Sequence, residues 1–212
     1  MLRGGRGGEV RLKLFLTLLL MSVGPPHATS YPTRAFAELF DLPDPDGTGS
    51  RRVREALVWL RERKLIQVEA RAGKAARVFV RLESGSGAVY SLPTKETDLW
   101  IKVPTAMWTK GWISALSGSA IAILLLLIDH AESLGKVGKA VWISPSQAKD
   151  DYALSSDTWT RGIRELERYR LVRSEIVYER AAAWGHLLRR KKVTLRMSRL
   201  NAGPPSTTLD GI

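Results

Sequence analysis

A seventeen-residue pattern occurs twice in this chain, and that repetition limits the folds open to it. Ser50–Ile66 (SRRVREALVWLRERKLI) and Ser156–Val172 (SDTWTRGIRELERYRLV) share one plan. In the first copy Val53, Ala56, Leu57 and Leu60 fall at i, i+3, i+4 and i+7; Trp159, Gly162, Ile163 and Leu166 hold the same places in the second. Such spacing draws one buried stripe along a helix of ~3.6 residues per turn. Each copy ends on a basic residue and a Leu-Ile or Leu-Val pair, then enters an alternating, basic stretch that reads as strand. A helix followed by a basic hairpin, twice over, predicts two like units.

The rest of the chain can be ordered around those two helices. Residues 1–9 (MLRGGRGGE) are rich in Gly and Arg and are expected to be disordered. Val10–Val23 (VRLKLFLTLLLMSV) is strongly apolar and stops at Gly24-Pro25-Pro26. A basic start, an apolar run and an Ala28-Thr29-Ser30 tripeptide imitate a secretory leader. Ala120–Ile128 (AIAILLLLI), however, is just as apolar and precedes the second copy in the same way. An internal segment cannot be a leader, so each run is read as the buried first helix of a unit. Both are shorter than the ~20 apolar residues that a bilayer requires.

In the first unit Pro32–Leu42 is expected to form a short second helix, capped by Thr33, with Phe36, Leu39 and Phe40 as its apolar face. The Pro43–Gly47 cluster is a turn. Strands at Gln67–Glu69 and Val78–Leu82 flank Ala70–Arg77, with Gly73 near the tip. Ser84–Gly87 (SGSG) breaks the pattern, and Trp100, Trp108 and Trp112 mark the connector that follows as packed rather than free. In the second unit a helix runs from about Ser117 to Ser133, and Ser144-Pro145-Ser146-Gln147 is a helix start with cap, N1 proline and capping-box glutamine. Ser155 and Ser156 can cap the repeated helix; strands Arg173–Glu179 and Arg189–Arg196 frame a turn over Arg180–Leu188. The tail from Asn201 is expected to be disordered. The domain reading is therefore 10–83 and 113–200, joined by 84–112 and flanked by 1–9 and 201–212. The fold class is α+β, mainly α, each unit having three helices plus a β-hairpin.

Charge points to a polyanionic partner, since the formal net charge is +12 and the pI about 10.3. It is no tail effect: residues 1–90 carry 15 basic against 9 acidic side chains, and residues 91–212 carry 18 against 12. Cysteine is absent, which excludes disulfides and thiolate chemistry.

Helix, short helix, turn, amphipathic helix and hairpin is an order that resembles the winged helix-turn-helix superfamily, at Phe36–Leu42 and Arg52–Ile66 and again at Ala148–Val172. Where that family's pattern has a Gly-like residue after the third helix, this chain has Lys64 and Arg170. The resemblance implies that the third helix enters the DNA major groove and that the wing touches phosphates or the minor groove. Tandem units also look like plasmid or phage replication initiators, with winged-helix transcriptional regulators as the alternative and an interaction scaffold as a reading of another class. Double-stranded DNA is the expected partner, in the cytoplasm, with neither membrane nor cofactor, and room is left for a homodimer through the first unit.

At ~100° per residue, Arg161, Arg164 and Arg168 lie together opposite the second stripe, flanked by Asp157 and Thr160. The second wing adds Arg189, Arg190, Lys191 and Lys192. The matching positions of the first helix are Glu55, Val58 and Glu62; its cations are Arg51, Arg52 and Arg54 at the helix start and Arg71, Lys74 and Arg77 in the wing. The second unit is thus expected to be the stronger DNA reader. No GxxxxGK[ST], strand-linked GxGxxG or GxSxG is present, and His27, His130 and His186 lack metal-ligand spacing. No enzymatic activity is expected.

Overall fold

The apolar run near the N-terminus is a packed helix. In a computed structural model, which describes residues 7–94, 100–135, 138–180 and 186–205, the chain divides into two compact units, 1–99 and 100–212. In the first, α1 (Gly8–Met21) lays Val10, Leu14 and Leu18 against Val53, Ala56 and Leu60 of α3 (Ser50–Glu62), all of them buried. Lys13 is buried in the same helix, its Nζ 2.8 Å from the Glu9 carboxylate.

Three strands complete this unit. β1 (Ala28–Thr29), β2 (Ile66–Glu69) and β3 (Arg77–Val80) form an antiparallel sheet in the order β1-β3-β2. Between β1 and α3 lie α2 (Thr33–Leu39) and a π-helical turn over Pro45–Gly49. The Asp44 carboxylate accepts from the amides of Thr48 at 2.8 Å and Gly47 at 3.1 Å, and these bonds hold its pKa below the ordinary value. Gly49 is closely packed: a Cβ there would sit 3.0 Å from the Asp44 carbonyl oxygen.

The second unit begins with two short helices, α4 (Ala106–Thr109) and α5 (Trp112–Ala115). Fully buried Trp112 donates its indole N–H to the Leu200 carbonyl at 2.7 Å and stands edge-on to Tyr169. α6 (Gly118–Ser133) is the counterpart of α1, capped by the Ser117 hydroxyl. β4 (Ala140–Val141), α7 (Pro145–Asp150), α8 (Ser156–Arg168), β5 (Val172–Arg180) and β6 (Leu187–Leu195) follow, and the sheet order is β4-β6-β5. Ser144 and Gln147 make both bonds of the expected capping box, and Ser155 caps α8. From α1 in the first unit and from α6 in the second, the chain therefore runs through the same series: helix, strand, helix, helix, strand, strand, with the π-helical turn inserted in the first.

Several expectations need correction. Each unit has a three-stranded sheet rather than a hairpin alone, because two-residue strands lie between the first and second helices. Thr33 caps nothing; Pro32 is the cap residue and Thr33 is already helical. Leu39 is 37% exposed, and Phe36, Ala37 and Phe40 form the buried face instead. Leu57 and Trp159 are only half-buried at the edges of their stripes. The expected connector is structured in part: Tyr90 is buried against His27, and 106–115 holds α4 and α5. Trp108 is half-buried and Trp100 41% exposed, so Trp112 alone of the three is fully packed. At the ends, α1 already begins at Gly8, and a 3₁₀ turn covers Met197–Ala202. The remainder of both expected tails, 1–6 and 206–212, and the centre of the second hairpin turn, 181–185, lie outside the described residues.

The Gly-like positions are left-handed in both copies. Lys64 has φ of 57° and Arg170 of 58°. Each helix closes with paired bonds: Leu65 N–H to Leu60 O at 3.0 Å with Lys64 N–H to Arg61 O at 2.9 Å, and Leu171 N–H to Leu166 O with Arg170 N–H to Glu167 O, both 2.9 Å. This is the Schellman geometry that normally favours glycine. Two cations occupy it here, beside carbonyls that favour positive charge.

Candidate nucleic-acid interface

Helix α8 sits unusually close to α6. A Cβ on Gly162 would come within 2.6 Å of Ile123 Cγ1 and 2.9 Å of the Ser119 carbonyl oxygen, so only glycine permits this approach. Glu165 secures the crossing: its carboxylate accepts from the Ser117 amide at 2.7 Å and the Ser117 hydroxyl at 2.5 Å, at the positive end of α6. Glu167 turns toward the hairpin and pairs with Lys191 at 2.9 Å. Burial pushes the Glu167 pKa up, but Ser174, the Lys191 ammonium and the Arg164 charge together outweigh it, and the balance lies below the ordinary carboxylate value.

With two of its three acids engaged inward, α8 presents Arg161, Arg164 and Arg168 outward, all exposed, with Thr160 half-buried beside them. Arg161 is joined to Asp157 at 2.8 Å across one helical turn, both side chains well exposed. The Arg168 guanidinium lies 5.0 Å from the Tyr169 ring centroid. An exposed pair of this kind contributes little to stability and yields readily to a phosphate or a base edge.

The basic run of the second wing is divided by strand alternation. Successive side chains of β6 point to opposite faces. Arg189 and Lys191 occupy the face that meets α8 through Glu167; Arg190 and Lys192 occupy the other. There Arg190 pairs with Glu179 at 2.8 Å and its guanidinium stacks 4.1 Å from the Trp142 centroid, while Lys192 also bonds Glu179. These bonds, that of Lys192 foremost, hold the Glu179 carboxyl below its ordinary value. The structure therefore brings Arg189 and Lys191 to the side of α8, and not Arg190 and Lys192.

The first unit offers a different surface. Arg51 and Arg54 are exposed at the start of α3, Arg52 is half-buried, and Arg51 reaches Glu55 only at 3.8 Å. Arg71 and Lys74 are exposed in the hairpin turn, whereas half-buried Arg77 lies over Phe79 at 4.9 Å. Trp59 is held between the guanidinium groups of Arg11 and Arg63, 4.8 and 4.7 Å from its ring. Val58 is 43% exposed between exposed Glu55 and Glu62.

Sequence reasoning missed the acids that arrange these cations. The partners of Glu165, Glu167 and Glu179 all lie on other elements. Only the pairing of Glu167 with a basic wing had any visible trace, in the sign of the neighbouring strand. Among the described residues no helix is long and apolar enough to cross a membrane, and no three His, Asp or Glu side chains form a metal-holding group. No protein-family model, curated protein or solved structure matches the chain.

Proposed function

We propose that this chain is a sequence-specific double-stranded DNA-binding protein of two tandem winged helix-turn-helix units, acting in the cytoplasm as a plasmid or phage replication initiator. The observation that carries the reading is α8: three exposed arginines on one face, with two of its three acids turned to Ser117 and Lys191. The repeated helix-strand-helix-helix-strand-strand order and the three-stranded sheet beside each third helix support the fold part of the proposal. A helix of this width fits a major groove, its arginines reach guanine edges or phosphates, and Arg189 and Lys191 add cations on the adjoining wing face.

The initiator role rests on there being two like units in one chain, since fold alone does not select a process. Selection of binding sites from random duplexes tests the proposal. An enriched motif with two half-sites in one footprint supports both units reading DNA; recurrence of that motif as iterated copies favours an initiator and a single operator favours a regulator. Absence of any enriched motif, or binding insensitive to salt, would sink the reading. The first unit has a second reading, as a protein-binding face, favoured by Val58 standing exposed where the second unit has Arg164.

A further inference from the structure

The second hairpin is much longer than the first, with nine residues in each strand against four. Its outer strand, β5, is paired by β6 on one side and by no described strand on the other. It contains no proline and carries Ile176 and Tyr178, 50% and 63% exposed. Such an edge displays a row of unpaired N–H and C=O groups, a template for another strand. Its charges decide which strand it accepts.

In an antiparallel strand every second residue turns its backbone donor and acceptor to the free side. Two copies of β5 related by a two-fold axis can therefore join only with the axis passing through a residue. An axis at Glu175 sets that carboxylate against itself. An axis at Val177 sets Glu175 against Glu179 twice. Axes farther out pair only about half of the strand or less. An axis at Ile176 engages all nine residues of β5: Val172 faces Arg180 and Arg173 faces Glu179 on both sides, Ser174 faces Tyr178, Glu175 faces Val177, and Ile176 meets its own copy. Opposite charges directly across a strand pair stabilise it and like charges destabilise it. The strand is thus self-complementary in a single full-length register.

We propose that β5 pairs antiparallel with β5 of a second copy about a two-fold axis at Ile176, joining the two three-stranded sheets into one of six strands. The two isoleucines bury each other on one face, flanked by both tyrosines. On the other face, Arg173 of the second copy approaches the Glu179 carboxylate from the side not taken by Arg190 and Lys192. The contact is independent of the DNA reading.

The natural absence of cysteine permits a direct test. Residues directly opposite one another lie ~4.5–5.5 Å apart at Cα, within disulfide range, whereas diagonal neighbours at ~7–8 Å are outside it. Under mild oxidation the full-length I176C variant is expected to form a disulfide-linked dimer, and E175C and V177C are not. In sedimentation equilibrium the unmodified chain is expected to dimerise, and R173E, which places like charges across both ends of the strand, to weaken the dimer about tenfold. A monomeric unmodified chain, equal cross-linking at the three positions, or a dimer indifferent to R173E would overturn the proposal.

Discussion

Two cations in left-handed geometry show how closely the units repeat at the scale of single residues. Lys64 and Arg170 share φ within a degree, the same pair of closing bonds, and a following leucine whose carbonyl accepts from Arg81 or Arg196 at 2.9 Å. A residue with a Cβ in this region costs roughly 1 kcal/mol relative to glycine. R170G is accordingly expected to stabilise the second unit by up to about 1 kcal/mol, read from the urea midpoint, while R170A leaves it nearly unchanged. K64G should gain less, because the Lys64 side chain packs near Gly87. Gly162 has the opposite sign. Alanine is ordinarily the better helix former, but here its methyl would meet backbone at 2.9 Å, so G162A is expected to destabilise by about 1–3 kcal/mol. A midpoint raised by G162A would show that α6 and α8 are not in close contact.

At the scale of elements, the helices of the repeated series and the wings were legible; the two-residue strands and the short helices α4 and α5 were not. A stripe repeated at i, i+3, i+4 and i+7 is a strong signal because four positions agree on one face in each of two copies; Ala28–Thr29 and Ala140–Val141 are too short to show any alternation. Arg189–Lys192 read as one patch since composition carries no faces, yet strand geometry sends alternate cations apart. What arranges the candidate site is also non-local: Glu165 is 48 residues from Ser117. The second hairpin makes a pH prediction from such contacts. Glu179 and Glu167 titrate below their ordinary value in the folded chain. Their stabilising contribution is therefore present above the unfolded carboxylate pKa of ~4.3 and is lost as pH falls through the lower folded values. The protection factors of β5 and β6 amides, taken relative to intrinsic exchange at each pH, are expected to fall selectively below about pH 4, and those of E179Q to be lower at neutral pH with less dependence on acid. Protection that is unchanged in E179Q would remove Glu179 from the account.

For the whole molecule, net charge hardly distinguishes the two units, which carry +5 (1–99) and +7 (100–212). Helix charge even points the wrong way: α8 holds three arginines against Asp157, Glu165 and Glu167, whereas α3 holds Arg51, Arg52, Arg54 and Arg61 against Glu55 and Glu62. Disposition reverses that order. Two acids of α8 are bound to Ser117 and Lys191, leaving only Asp157, paired with Arg161, beside its outward arginines, while Glu55, Val58 and Glu62 keep the outer face of α3 mixed. The proposal that α8 reads DNA therefore predicts that R161A/R164A/R168A weakens binding to the selected duplex about a hundredfold or more, at a few kcal/mol for three lost contacts. R51A/R52A/R54A should cost less and mainly flatten the salt dependence, as loss of phosphate contacts does, by about one in log–log slope for each contact removed. Fluorescence anisotropy across a salt series separates the two effects. E165Q adds a control that removes no cation: by loosening the hold of α8 on α6 it should weaken specific binding while leaving the salt slope intact. If the first-unit triple variant proved equal or worse, recognition would belong to α3, and the arginines of α8 would be an ordinary solvated face.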